Sequence, residues 1–194
     1  MDRPCKFANK GCKQVGDDAF IKAHMKNCNF GNIECPDWLC KDSVTYENVL
    51  DHLKNTHGSE QRTQQEILDG IYVPIGDDDF ATAPDITIAH GETFILICEK
   101  IKDVRMCWIV LLGTREDAQK YEVKIIAGPN DDNCIKLRAK VFSVEMNKAE
   151  VLQNHRGILE ISKGMASNLG EVYDGKIGIL ITNDIVKIDQ IEVE

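Results

Sequence analysis

Cys35-Pro36-Asp37-Trp38-Leu39-Cys40, then eleven residues, then His52-Leu53-Lys54-Asn55-Thr56-His57: the reading of this stretch governs the reading of the rest. Its pattern is C-x4-C-x11-H-x4-H. A second quartet, Cys5, Cys12, His24 and Cys28, stands ahead of it as C-x6-C-x11-H-x3-C. In both, a close cysteine pair is followed, after the same x11 gap, by a histidine that opens a second close pair. Tetrahedral Zn²⁺ takes four Cys or His ligands, and a cysteine pair on a turn with a second pair at helical spacing supplies them. Four protein ligands leave no coordination position open for a reacting water, so the two quartets predict two structural Zn²⁺ ions and no catalytic metal.

The competing reading is of buried or disulfide-bonded cysteines. Met1-Asp2-Arg3-Pro4 has no apolar run behind it, so a secretory signal is not expected. In a reducing compartment, clustered cysteines and histidines point to metal. This reasoning carries an expectation of a cytoplasmic location, with the nucleus open to the protein as well.

Within the first quartet, Asp17 and Asp18 precede Phe20, Ile21 and His24, which reads as a helix start. Phe20, His24 and Cys28 follow one another at i,i+4, so Phe20 is expected as the apolar anchor on the ligand face. In the second, Thr45 is expected to cap a helix through Leu53, with Val49 and Leu53 on one face beside His52. Modules this small bury too little apolar surface to fold alone, so metal must contribute on the order of 10–16 kcal/mol per site.

Residues 1–58 hold eight basic and eight acidic side chains. A finger that reads DNA needs Arg, Lys, Asn or Gln facing base edges and phosphates, and the second helix instead begins with Glu47, Asn48 and Asp51. The whole chain carries a net charge of -9, which repels nucleic acid and anionic membrane. No apolar run approaches the roughly 20 residues of a membrane span. A nucleic-acid-binding zinc-finger protein is therefore the weakest of the function classes considered, and neither nucleic acid nor membrane is expected as a partner.

The 194 residues suit one medium domain and a small one, and 43% hydrophobic content permits a core. Gly58 to Glu66 is wholly polar and reads as the junction, giving zinc modules over 1–60 and a second domain over 61–194. Beyond it the pattern changes period, with some runs alternating and Thr93 to Cys98 and Met106 to Leu112 apolar on both faces. Ile86-Thr87-Ile88, Thr93 to Cys98, Met106 to Leu112, Tyr121 to Ile125, Ile135 to Val141, Gly157 to Ile161 and Lys176 to Ile181 read as strands. Gly128 to Asp132 is a turn between two of them. Many short strands predict a mainly β chain with an antiparallel β-sandwich. Short helices are expected at Thr114–Lys120, Asn147–Asn154 and Lys163–Leu169. Cys98 and Cys107 read as core thiols and Cys134 as partly exposed. His90 and His155 sit by turns, and no nucleophile, Walker or dinucleotide motif accompanies them, so no catalytic residue is assigned.

The order of the two quartets and the strands resembles the seven in absentia (Sina/Siah) family. Ile109-Val110-Leu111-Leu112-Gly113-Thr114-Arg115-Glu116-Asp117-Ala118 is similar to the family's IVxLIGTRxxA segment. Phe94 to Lys100 resembles the strand before it, and Leu169 to Thr182 the family's last strand and the turn leading in. The resemblance implies zinc at the eight named Cys and His positions. It also implies a TRAF-like sandwich that binds substrate and forms a homodimer, in a RING-type E3 ubiquitin ligase that directs proteins to proteasomal degradation. The RING would recruit the ubiquitin-conjugating enzyme. Three departures qualify this. No RING precedes Cys5 and all eight ligands are spent, so the chain alone is expected not to catalyse ubiquitin transfer; it is either the binding domain of such a ligase or a RING-less adaptor. The x4 gap between Cys35 and Cys40 is shorter than in the family. The tail from Asp184 to Glu194 runs past the family's usual end.

In the family, an extended degron peptide adds as a strand beside the segment that follows the last zinc histidine. Here Glu60 to Gln65 is polar throughout, and Ile86 to Ala89 lacks the family's groove tryptophan and methionine. Gln61, Thr63, Ile86 and Ile88 are the expected peptide-contacting residues. The preferred peptide is expected to shift away from the usual proline-and-valine degron.

Overall fold

The computed structural model describes residues 2–5, 7–8, 12–25, 28, 31–37, 39–74, 83–130, 132–169, 171–173 and 176–188. The chain divides into two compact units, Met1–Gly58 and Ser59–Glu194.

The first unit repeats one plan: a short antiparallel strand pair followed by a helix. β1 (Arg3–Pro4) pairs with β2 (Val15–Gly16) and leads into α1 (Asp18–Met25); β3 (Asn32–Glu34) pairs with β4 (Ser43–Thr45) and leads into α2 (Val49–His57). Asp17 starts α1 by accepting the Phe20 N–H at 2.8 Å. The anchor of α1 is Ile21, 3% exposed, and not Phe20, which is 47% exposed. Its ring lies over Gly16, where an added Cβ would come within 2.3 Å of Phe20 Cδ1.

The expected cap at Thr45 is also corrected. Thr45 ends β4, whose β-branched residues suit a strand; Ile33 faces Val44 across the pair. The chain turns through a bond from Asn48 N–H to Thr45 O, and Asn48 takes the N-cap position. Val49 and Leu53 are fully buried on one face of α2, as their spacing predicts. Gly58 closes α2 in the left-handed region at φ 68°, with its N–H on Leu53 O.

The second unit is built of two sheets. The segment expected as a polar junction begins it: β5 (Gln61–Thr63) is a strand, and α3 (Gln64–Leu68) follows on a capping box between Thr63 and Glu66. Then come β6 (Ile71–Pro74), β7 (Asp85–Ala89), β8 (Glu92–Ile101), β9 (Val104–Leu111), α4 (Arg115–Ala118), β10 (Tyr121–Asn130) and β11 (Asn133–Lys140). β12 (Phe142–Ser143), α5 (Lys148–Gln153), β13 (Leu159–Ser162), α6 (Lys163–Leu169), β14 (Glu171–Tyr173) and β15 (Lys176–Lys187) complete it. Among the described residues one sheet runs β12-β9-β8-β7-β5, with β13 also on β9; the other runs β11-β10-β15-β14, with β6 also on β15.

Most pairings are antiparallel, but β5 with β7 and β12 with β9 are parallel. The first sheet contributes Phe94, Leu96, Cys98, Cys107, Ile109 and Ile161 to one core, and the second contributes Val123, Ile125, Ala139, Ile181 and Ile185. Two sheets joined through one apolar core make a β-sandwich. The turn between β7 and β8 is His90-Gly91, both at positive φ (52° and 74°), which suits a two-residue hairpin. Lys187 at the end of β15 pairs with Tyr121, so 184–187 continues the last strand; 189–194 lie outside the described residues.

The Gly113-Thr114-Arg115 segment forms a joint after β9. Thr114 caps α4 by accepting the Asp117 N–H at 3.2 Å, and its hydroxyl donates to Asp117 Oδ2 at 2.6 Å. Lys120 neutralises the buried Asp117 at 2.6 Å, and Ser143 Oγ donates to Gly113 O at 2.7 Å. Arg115 reaches Glu150 of α5 at 2.8 Å.

Candidate metal centres and the strand edge

Both quartets close. The side-chain donor atoms of Cys5, Cys12, His24 and Cys28 all lie within 4.8 Å of one another, and so do those of Cys35, Cys40, His52 and His57. Around one tetrahedral Zn²⁺ the usual bond lengths set S···S at about 3.8 Å, S···N at about 3.6 Å and N···N at about 3.3 Å. Here Cys5 and Cys28 sulfurs are 3.7 Å apart, and Cys12 Sγ is 3.2 Å from His24 Nε2. In the second cluster Cys35 Sγ lies 3.4 Å from His57 Nε2, Cys40 Sγ 3.6 Å from His52 Nε2, and the two Nε2 atoms 3.2 Å from each other. The donor set and its spacing fit one zinc ion per cluster.

The surroundings favour that ion. Burial pushes the Cys35 thiol up to about 12, so a thiolate there needs a cation beside it. The Gln14 backbone hydrogen bond holds the Cys12 thiol below its ordinary value. Backbone N–H groups of Phe7 and Asp42 donate to Cys5 and Cys40 sulfurs at 3.4 and 3.5 Å. The histidines of the second cluster turn Nε2 inward. Nδ1 of His57 faces Asp37 Oδ2 at 2.9 Å, and Nδ1 of His52 lies 3.4 Å from Thr56 Oγ1.

Asp37 is the residue that spacing did not single out. Its backbone O accepts the Cys40 N–H at 3.0 Å, its Oδ1 accepts the Leu39 N–H at 3.0 Å, and its Oδ2 orients the His57 ring. Its place two residues after Cys35 was the available signal. A carboxylate on the far nitrogen of a ligating imidazole sets the tautomer and raises ligand basicity.

The four expected peptide-contacting residues lie on the neighbouring strands β5 and β7, and the structure treats them differently. Gln61 pairs with Ile86 and Thr63 with Ile88. Ile86 is fully buried and offers no side-chain surface at the edge, which corrects its place among the contact residues; Ile88 is 48% exposed. β5 ends its sheet among the described residues. The Ile86 N–H donates to Glu60 O, so in a parallel ladder Gln61 and Thr63 turn their backbone groups away from β7. The Thr63 N–H already donates to Glu66 Oε2 at 2.6 Å.

Residues 1–68 match the family described as "Sina, zinc finger". A 129-residue stretch is 25% identical to the E3 ubiquitin-protein ligase siah2 of Xenopus laevis, covering 63% of this chain and 41% of that one. The corresponding match to the E3 ubiquitin-protein ligase SIAH2 of Homo sapiens is 24% identical, over 63% of this chain and 40% of that one. The chain is similar to Sina/Siah proteins, with a Sina-type zinc-finger region over its first 68 residues. The match thus spans well under half the length of these Siah relatives. The two Cys/His clusters fall inside the matched Sina zinc-finger region, and the Sina finger is a zinc-binding module, so the metal is Zn²⁺ in both. As structural ions they would supply cross-linking of each strand pair to its helix. Among the described residues no helix is long and apolar enough to cross a membrane.

Proposed function

We propose that this chain is the substrate-recognition and dimerisation unit of a Siah-type E3 ubiquitin ligase. It takes extended degron segments of target proteins for ubiquitin-dependent degradation. One observation supports the reading: β5, which follows the last zinc histidine in sequence, ends its sheet among the described residues and turns the backbone of Gln61 and Thr63 away from β7. An added peptide strand gains main-chain hydrogen bonds there, and exposed Ile88 supplies apolar surface beside it. The polar side chains of β5 lack the usual apolar pocket wall. One lost apolar contact is worth ~1–3 kcal/mol, which moves preference away from a proline-and-valine degron. The TRAF-like sandwich pairs with a second copy to form a homodimer. The chain alone does not stimulate ubiquitin transfer.

The test is titration of a labelled Siah-type degron peptide. Binding is expected to be weak in the wild type and stronger in Glu66→Gln, whose neutral side chain releases the Thr63 N–H more readily. Tight binding that is indifferent to Glu66 would reject this edge as the site. Ubiquitin transfer by this chain with only activating and conjugating enzymes would reject the non-catalytic role.

A further inference from the structure

A cleft of about 550 Å³ opens in the second unit between α4, the ends of β10 and β11, β12 and the turn after α5. Its floor includes Ala118, Val141 and Phe142, all buried, and Gly157 lies so close to the Phe142 ring that an added Cβ would come within 2.3 Å of Cζ. Its rim is cationic. Arg115, Arg138, Lys140 and Arg156 line it against the carboxylate of Glu122, and with Glu150 on Arg115 the local charge is +2. The chain as a whole carries -9, with 32 acidic and 23 basic side chains. Two of these cations are paired: Arg115 meets Glu150 at 2.8 Å, and Arg138 meets Glu122 at 2.6 Å. Lys140 and Arg156 have no ion-pair partner among the described residues, yet both border the same apolar floor.

Basic residues alternating along β11 (Lys136, Arg138 and Lys140) would by themselves be explained as protection of an edge strand against aggregation. That account does not reach Arg156, which comes from the 3₁₀ turn His155–Gly157, or the apolar floor between the two elements. We propose that the cleft docks a short acidic, extended segment of a partner protein. Carboxylates meet Lys140 and Arg156, and one apolar side chain rests on the Phe142 floor. The volume lies in the range that takes a ligand of several residues' side chains and exceeds what a lone anion needs. The net charge of -9 opposes a long polyanion, but screening over about 8 Å at physiological salt confines that opposition, and a few carboxylates seated within the cleft feel mainly its cations. This site is separate from the β5 edge and stands without it.

The experiment uses the zinc-loaded full chain and a labelled heptapeptide of alternating glutamate and leucine, with the glutamine–leucine peptide as control. Expected are saturable, salt-sensitive binding of the acidic probe and at least tenfold preference over the control. At least tenfold weakening in Lys140→Glu/Arg156→Glu is expected too, while the two-zinc content stays unchanged. Equal binding of both probes, or no effect of the double reversal, would overturn the proposal. Displacement of the probe by millimolar inorganic phosphate would assign the cleft to small anions instead. A tenfold gain on ending the chain at Ile188 would assign it to this chain's own residues 189–194. Either result rejects a partner segment as the occupant.

Discussion

Asp37 Oδ2 and His57 Nδ1 stand 2.9 Å apart, both almost buried, with the other nitrogen of that imidazole turned into the second Cys/His cluster. The carboxylate thereby decides which nitrogen faces the metal. Asp37→Ala is expected to weaken zinc at this cluster by roughly 10- to 100-fold, with Asp37→Asn milder because its amide oxygen still accepts a hydrogen bond. Competition with a chromophoric chelator measures it; unchanged affinity in Asp37→Ala would show that the carboxylate is dispensable.

Metal analysis of the purified chain should find two zinc ions. Chelation should abolish amide protection across 1–58, since Val49, Leu53, Ile21 and Ile33 form too small an apolar set to hold two strand pairs and two helices. His52→Ala should lower the count to one. Cys98→Ala should leave it at two and cost about 1 kcal/mol in packing, since Cys98 belongs to the sandwich core. Metal lost from Cys98→Ala would contradict this division of the cysteines.

Arg62 Nε donates to Asp85 Oδ1 at 2.9 Å, tying β5 to β7. Burial raises the Asp85 carboxyl above its ordinary value, and Arg62 pulls it back only in part. A raised folded value means that Asp85 favours the folded state most below its unfolded value of 3.8, and that this contribution is lost as pH rises through the folded value. Arg62→Met removes the opposing cation. Asp85 should then titrate higher still, with stability reduced most at neutral pH. Carboxyl-carbon NMR follows the titration, and an unmoved Asp85 would disprove the coupling.

Glu66 has the opposite sign. The Thr63 backbone N–H, and then its hydroxyl, hold the Glu66 carboxyl below its ordinary value. The contribution is present above 4.5 and disappears as pH falls through the folded value. Hydrogen-exchange protection of the Thr63 amide should therefore fall on acidification, and Glu66→Gln should remove that pH dependence. Thr63→Ala should cost about 1 kcal/mol through the lost N-cap. Protection that is flat with pH in the wild type would exclude the capping-box account.

The sequence alone determined the metal chemistry and the strand-rich body. Ligand identity and spacing are local properties, so Cys5 to His57 could be sorted into two quartets before any coordinates. Alternating and continuous apolar runs are local too, and they located the strands that became β7 to β11, while short helices were expected from Thr114 and from Asn147, which cap α4 and α5. Tertiary structure decided what depends on partners distant in the chain. Gln61–Thr63 has no apolar pattern, and it is a strand because Arg62 meets Asp85 and the backbone finds β7. Thr45 is a strand residue because Ile33 and Val44 face each other across β3 and β4. Ile86 and Ile88 are the same residue two positions apart, one buried and one half exposed, and only the packed sheet separates them. Asp37 and the cleft around Lys140 and Arg156 belong with these. Each depends on where a charge stands relative to groups that the chain brings close only by folding.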